Sequence, residues 1–538
     1  MRKISFKNIL LSAVVLLAFS ACNNLDQAPK DKFTDANFWQ SVKNSDLMVN
    51  MAYRQMYGAD KMWKDEALSD NVFNGRSWED TRRVRAGLAD ASLDMFKGEW
   101  KDMYGGIKTC HKYLDNVDRV PDMDDAYKAK RTSEVRFIRA WNYFRLVSFY
   151  GDVPFFTTDI SLADAKTISR TPKATVLQFI HDELDEIMPL LPTRDQLAAS
   201  DNGRVTRGAA CAFQARVYLY ESNWAKVEDY AGRLINDQAN YGTYALYPDY
   251  EGLFQSLNEY NEEVIFDYAF VPAVKTWGEM YARVPMSQGA YLNDGAPTQE
   301  LVDSYIMKNG KTIADASYNP NMPYVNRDPR LDYSIVYHDC NWIKEDGSSV
   351  VIKIDPNDAS TGSSPDKWGV GNSTSTGYYI RKYWDPDHEA SIQQSTNIIL
   401  LRYADILLMY AEAMFEQNRM SSAVWDATIK LVRQRAGFTA TGAVDYPTLG
   451  TDDMRALIRN ERRSELAMEG VRYHDVVRWK AGLEFFDKPV RGAKFANGGT
   501  AHIIFDERKF NTNRDYLWAV PLDQVDLNPN LKPNNPGY

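Results

Sequence analysis

From Arg207 the chain reads RGAACAFQARVYLYESNWAKVEDYAGRLI, an alanine-rich helical pattern that breaks at Ser222 and Asn223 and then resumes. Towards the C-terminus, LLRYADILLMYAEAMFEQNRMSSAVWDATIKLVRQRAGF gives a helix to about Gln417, a turn, and a partner helix ending at Gly437, a good helix stop. These pairs constrain the fold more than any other feature. Each helix carries an apolar stripe that another element must cover.

The two pairs share a spacing. Ala215, Tyr218 and Val227 in the first parallel Ala411, Met414 and Ala423 in the second: small, bulky at +3, small or apolar at +12. This resembles the tetratricopeptide helix-turn-helix, in which small residues let paired helices approach. A further block, SEVRFIRAWNYFRLVSFYG (Ser133 to Gly151), puts Phe137, Trp141, Phe144 and Val147 or Ser148 on one face. Another, Thr451 to Glu469, opens on a Thr cap with Asp452 and Asp453 at the positive helix end and closes at Gly470. The sequence predicts a mostly α protein. Trp39, Trp100, Trp141, Trp224 and Trp479 lie in periodic segments and are expected in the core.

Between about 240 and 396 the character changes. Pro, Gly, Asn and Ser accumulate, and ASTGSSPDKWGVGNSTSTG (Ala359 to Gly377) is loop chemistry without periodicity. A shorter excursion runs from about 65 to 98. Long loops on a helical scaffold are functional or disordered.

The N-terminus predicts where the chain resides. Arg2, Lys3 and Lys7 precede ILLSAVVLLAF (Ile9 to Phe19), an apolar run shorter than the ~20 residues a spanning helix needs. Ser20 and Ala21 then stand before Cys22. The pattern is that of a secretory signal and resembles a bacterial lipoprotein box, with Phe19 where Leu is usual. It predicts a signal peptide over 1–21, lipidation of Cys22, and one mature domain over 22–538. Acyl chains contribute about 0.8 kcal/mol per buried CH2, so several of them hold a protein to a membrane without a spanning helix.

Loss of the three positive residues with the signal takes the formal charge from −10 to −13, which argues against nucleic acid, bound through Lys and Arg on phosphates. With Cys22 lipidated, Cys110, Cys211 and Cys340 allow at most one disulfide, so the core must hold the fold.

Catalytic equipment is not visible. Glu461, Glu465 and Glu469 line one helical face, and paired carboxylates serve glycoside hydrolysis. Interleaved Arg459, Arg462, Arg472 and Arg478, with Asp475, would keep them ionised, which suits a stitching network better than a general acid. His111, His181, His338, His388, His474 and His502 form no HExxH or other metal pair, and no Gly-x-Ser-x-Gly elbow occurs. No metal, cofactor or catalytic residue is assigned.

Aromatics are abundant: 13 Trp, 32 Tyr and 23 Phe. Those in loops are the candidates for binding, because a flat ring can take the CH face of a sugar while nearby polar groups bond its hydroxyls. Trp78 lies among Asp70, Asn71, Asn74, Arg76 and Arg85; Trp277, Tyr281 and Tyr291 lie in KTWGEMYARVPMSQGAYLNDG. The competing reading is that these rings plug the loops against the helices.

At this point the motifs resemble, over essentially the whole chain, the SusD-like (RagB/SusD) outer-membrane lipoproteins of Bacteroidetes. The stretches that carry the resemblance are CNNLDQAPKDKFTDANFW from Cys22, YGDVPFF from Tyr150, RYADILLMYAEAM from Arg402, IRNERRSELAMEGVRYHDVVRW from Ile458 and the terminal LNPNLKPNNPGY. It departs in the tail, where LWAVPLDQV stands for the usual Pro-Ile-Pro and KPNNPGY for Gln-Asn-Pro-Gly-Tyr. The resemblance implies a non-enzymatic binder, facing the cell exterior as a lid on a SusC-like TonB-dependent porin and capturing glycan, less often peptide. It also implies helical repeats on one face and ligand in loops on the other. Ligand contacts would come from the loop before EWKDMYGGI, from around APTQELVDSY and from after DPRLDYSI, regions that hold Trp78, Trp277, Tyr281, Tyr291 and Trp342. A lipoprotein glycoside hydrolase or protease on a helical fold remains the other class.

Overall fold

In the computed structural model, which describes residues 34–344, 346–388, 393–495, 501–505 and 508–538, the helices pack largely in the order in which they occur along the chain. Helix α1 (Val42–Arg54) lies on α2 (Asp94–Leu114) and α3 (Asp125–Tyr150), and α2 also packs on α3. Then α3 meets α4 (Lys173–Ile187), α4 meets α5 (Arg207–Tyr220), and α5 meets α6 (Trp224–Asn236). The stack continues through α7 (Tyr403–Glu416) to α8 (Thr451–Glu465), after which comes α9 (Arg472–Arg478). Neighbour-on-neighbour packing is what repeated helix pairs produce. The expected mostly α scaffold is present. Cys22 and the expected signal peptide lie outside the described residues. Among the described residues, no helix is long and apolar enough to cross a membrane.

The local reasons are readable in the first pair. Thr206 caps α5, its hydroxyl accepting from the Ala209 amide at 3.1 Å. Every residue of α5 from Gly208 to Leu219 is buried, because Ala209, Ala210, Ala212 and Ala215 let helices close in on several sides. Helix α6 needs only one stripe: Val227, Tyr230, Ala231 and Leu234.

The second pair departs from the expected spacing. Its partner helix is two pieces, Ser422–Asp426 and Ile429–Arg435, and Ala423, the expected counterpart of Val227, is exposed. The inward position belongs to Trp425, fully buried with its indole N–H donating to the Val444 carbonyl at 2.8 Å.

Helix α8 also differs at both ends. Gly450 is the cap residue and Thr451 the first helical one, and the helix stops at Glu465, short of the expected Glu469. The terminal Glu465 carbonyl is taken by Arg402 Nη2 at 2.8 Å and the Tyr250 hydroxyl at 3.0 Å, which satisfies the end without another turn. Gly470 follows at φ +73°, where a Cβ would stand 3.2 Å from the Met62 carbonyl oxygen.

The long excursion is inserted between α6 and α7. It is pinned where it leaves and returns by an antiparallel pair, β1 (Val264–Tyr268) with β2 (Ile398–Arg402), fully buried and irregular in register. Strand β2 runs straight into α7. The shorter excursion is joined to the longer one where Val72–Phe73 pairs with Ala296–Pro297.

Charges lock this junction. Arg402, 1% exposed, holds Glu263 at 2.7 Å, Glu465 at 2.6 Å and Glu469 at 2.7 Å. Arg435 joins Glu263 and Glu465, and Arg330 joins Asp328, Glu461 and Glu465. Burial raises the Glu465 carboxyl, but Arg435, Arg402 and Arg330 outweigh it and hold the group well below the ordinary carboxylate range. Glu461, Glu465 and Glu469 are therefore scaffold, stitching α8 to the loops.

Of the expected core tryptophans, Trp39, Trp100 and Trp141 are buried, while Trp224 and Trp479 are half-buried against the core. Cys110, Cys211 and Cys340 are buried free thiols.

Candidate functional site

The loop after Val72–Phe73 turns because the Asn74 carboxamide oxygen accepts from the Arg76 amide at 3.0 Å. Gly75 follows that turn into close contact: a Cβ there would meet the Ser375 Cβ at 2.5 Å. Arg76 then crosses to two other segments. Its Nε donates to the Asn293 carbonyl at 3.0 Å and its Nη2 to the Asn372 carbonyl at 3.4 Å. Asn293 N–H donates to that same Asn372 carbonyl at 2.9 Å, and the Asn372 side chain donates to the Tyr291 carbonyl at 3.4 Å. Three segments far apart in sequence meet at one guanidinium.

Two large rings stand out from this knot. Trp78 is 68% exposed and Tyr291 is 57% exposed. The Arg76 guanidinium lies 5.8 Å from the Trp78 ring centroid, which steadies an otherwise free side chain. Around them are half-buried Asn74, Arg76, Glu79 and Asp294. Burial, then the charge of Asp294, lifts the Glu79 carboxyl above its ordinary value. The arrangement offers flat apolar faces with donors and acceptors beside them, suited to binding a polyhydroxylated molecule. It contains no nucleophile and base pair.

Most of the other expected ligand residues are internal, which corrects the expectation that they form a binding surface. Asp70 is 2% exposed and accepts from Arg472 at 2.8 Å and Arg463 at 2.9 Å. Burial raises its carboxyl, yet Arg463 and Arg472 together hold it well below the usual range. Asn71 is fully buried, donating to Glu66 and accepting from Arg463, both at 2.8 Å. Trp277, 4% exposed, donates its indole N–H to the Thr396 carbonyl at 2.8 Å and bridges through its backbone to Gln394. Tyr281 and Trp342 are buried against Trp384, at centroid distances of 6.2 and 4.9 Å. These three rings plug the loops. Of the expected set, the surface knot unites Asn74, Arg76, Trp78 and Tyr291.

Sequence reasoning missed Glu79, Asp294 and Asn372. Asn372 lies in the aperiodic stretch already read as loop, but nothing local connects it to Arg76.

Among the described residues one cluster has metal-ligand geometry: ligand atoms of His338, Asp339 and Asp358 lie within 4.8 Å of one another. Its chemistry does not suit a metal. His338 Nδ1 accepts from the amides of Ile354 and Asp355, each at 3.0 Å, so the ring proton sits on Nε2, which donates to Asp358 at 3.0 Å. The Lys353 ammonium already bridges Asp339 and Asp358. The cluster is a satisfied ion-pair knot.

Comparison with known proteins accounts for the architecture. Residues 262–538 match the sequence profile of the SusD family, and residues 23–219 match one described as starch-binding associating with outer membrane. SusD-like protein P2 of Formosa agariphila is 26% identical over 98% of both chains. The starch-binding protein SusD of Bacteroides thetaiotaomicron is 26% identical over 78% of this chain and 75% of its own. The crystal structure of a SusD-like carbohydrate binding protein from Bacteroides fragilis superposes with a TM-score of 0.81 at 26% identity, covering 92% of this chain and 100% of that one. A profile match over half the chain, continuous with this stack of helices and its two joined loop excursions, means that the chain belongs to the SusD family.

Proposed function

We propose that this protein is a cell-surface glycan binder that captures oligo- or polysaccharide and delivers it to a SusC-like TonB-dependent outer-membrane transporter. It is not an enzyme in this reading, and it is held to the outer membrane by lipid on Cys22. One observation carries the binding role: two exposed rings, Trp78 and Tyr291, rise from a single polar knot. The relatives named as starch-binding and carbohydrate binding support it. A ring that covers a sugar face removes apolar area from water at about 25 cal/mol per Å2, and the adjacent Asn74, Arg76, Glu79 and Asp294 would select among hydroxyls.

Trp78→Ala and Tyr291→Ala should each weaken retention of the cognate polysaccharide by about 1–3 kcal/mol, the scale of one large apolar contact. Melting should scarcely change, because rings this exposed support little packing. Unaltered affinity in both variants, across a panel of polysaccharide classes, would remove the platform from the account.

The anchor and the partner are tested together in whole cells. Wild-type protein should co-purify with a large β-barrel protein in mild detergent, and Cys22→Ala should move into the soluble fraction. A Cys22→Ala protein that stays with membranes after a salt wash, or wild type recovered only as free monomer, contradicts this part of the proposal.

A further inference from the structure

A cleft of about 590 Å3 opens where the C-terminal ends of α3 and α5, the N-terminal end of α4, helix α9 and the loop around Thr512–Leu517 converge. Its wall is positive in a chain of formal charge −10. Lys173, Lys480 and Arg170 line it, and among the described residues none of them forms an ion pair. Arg170 spends its donors on neutral oxygens, the carbonyls of Asp152 and Pro533 at 2.8 Å each. The Lys480 ammonium rests 4.4 Å from the Tyr516 ring centroid.

The other charges nearby offset these only in part. Arg478 is neutralised by Glu412 and Asp475, and Arg514 by Asp515. Among the described residues Asp152 is the one carboxylate on the wall; it accepts from the Lys173 amide at 2.8 Å, capping α4, and its charge favours the charged forms of Lys173 and Arg170. Glu221, bonded to His181 at 2.6 Å, adds a negative charge close to Lys173 from outside the wall. Burial pushes His474 down to about 4, so it carries no charge at neutral pH. Burial and the charge of Lys480 push Lys173 below the ordinary lysine value. Three unpaired cations against one wall carboxylate leave the cleft net positive, and such an arrangement is most useful when a ligand supplies the missing charge.

The remaining wall is suited to sugar. Ser148, Thr512 and Asn513 line the cleft with side chains that have no hydrogen-bond partner among the described residues, and Tyr220 and Tyr516 contribute rings. The volume lies in the range of organic-ligand sites, about 300–1,000 Å3, and far exceeds a lone oxyanion. We propose that this cleft is a second ligand site, which takes an anionic saccharide by docking its sulfate ester or carboxylate between Lys173, Lys480 and Arg170. It shares no residue with the Trp78–Tyr291 surface, so either site can fail without the other.

Calorimetric titration of the full chain at fixed ionic strength tests this with three probes: a monosulfated disaccharide, the same disaccharide without sulfate, and inorganic sulfate. The sulfated disaccharide should bind at least about tenfold more tightly than either of the others. Combining Lys173→Gln with Lys480→Gln should abolish that preference without lowering the melting temperature, Lys173→Arg with Lys480→Arg should keep most of it, and Trp78→Ala should leave it intact. Equal affinity for the two disaccharides, a preference that survives the double glutamine variant, or inorganic sulfate binding as tightly as the sulfated sugar would each overturn the proposal.

Discussion

Replacing Arg402 by alanine should destabilise the protein by about 3–5 kcal/mol at pH 7, the cost of leaving a buried charge cluster uncompensated. Arg402 faces Glu263, Glu465 and Glu469 from one guanidinium; Glu263 and Glu465 are fully buried, and the Glu469 side chain is 6% exposed. Without it, Arg435 and Arg330 still reach Glu465, but among the described residues Glu469 keeps only Lys382 as an ion-pair partner, itself buried and pushed down to about 8 by that burial. The loss should shrink in acid. In wild type the Glu465 carboxyl is depressed, so its stabilisation is present above the ordinary glutamate value of about 4.3 and is lost only as pH falls towards the folded value. In the variant the abandoned carboxylates take up protons earlier and are relieved. Denaturant titrations of both proteins at neutral and acid pH read this directly. An unchanged midpoint at pH 7 would mean that the network contributes nothing net.

Trp277→Ala should cost about 3–5 kcal/mol as well, for a different reason: it empties a packed site and strands the Thr396 carbonyl that the indole N–H satisfies. Because the ring is buried, glycan affinity per folded molecule should hold. Trp78→Ala should do the reverse, losing affinity and keeping its melt. Measuring melting and binding on the two variants side by side separates plug from platform. A Trp277→Ala protein that melts like wild type but no longer binds would restore Trp277 to the ligand surface.

These two tryptophans mark the limit of what is legible in the sequence. Both sit in irregular stretches rich in Gly, Asn and polar residues, and no local feature distinguishes them. Trp277 is buried because the segment around Gln394 and Thr396 folds back over it. Trp78 is exposed because Arg76 ties its loop to Asn293 and Asn372 and leaves the ring outside. Asp70 and Asn71 fail as ligand groups on the same principle: their partners Arg463 and Arg472 arrive roughly 400 residues later in the chain.

Helical content and the main helix pairs follow from the sequence alone, because periodicity, capping and turn chemistry act over a few residues; the helix ends do not, since α8 stops at Glu465 and the partner helix of α7 breaks at Ala427 and Thr428. That Glu461, Glu465 and Glu469 belong to an ion-pair network was legible, but not with whom: their partners are Arg330, Arg402, Arg433, Arg435 and Lys382 from distant segments, while the interleaved Arg462, Arg472 and Arg478 pair with other carboxylates. The second helix pair shows where such reading stops: the +12 spacing marked Ala423, but packing gave the inward position to Trp425. Tertiary structure alone decided which loop rings reach solvent, that Arg76 gathers three segments, and that lysines from α4 and the end of α9 face one cleft. Burial and charge neutralisation depend on contacts between distant segments, and residue type and local spacing do not encode which segments those are.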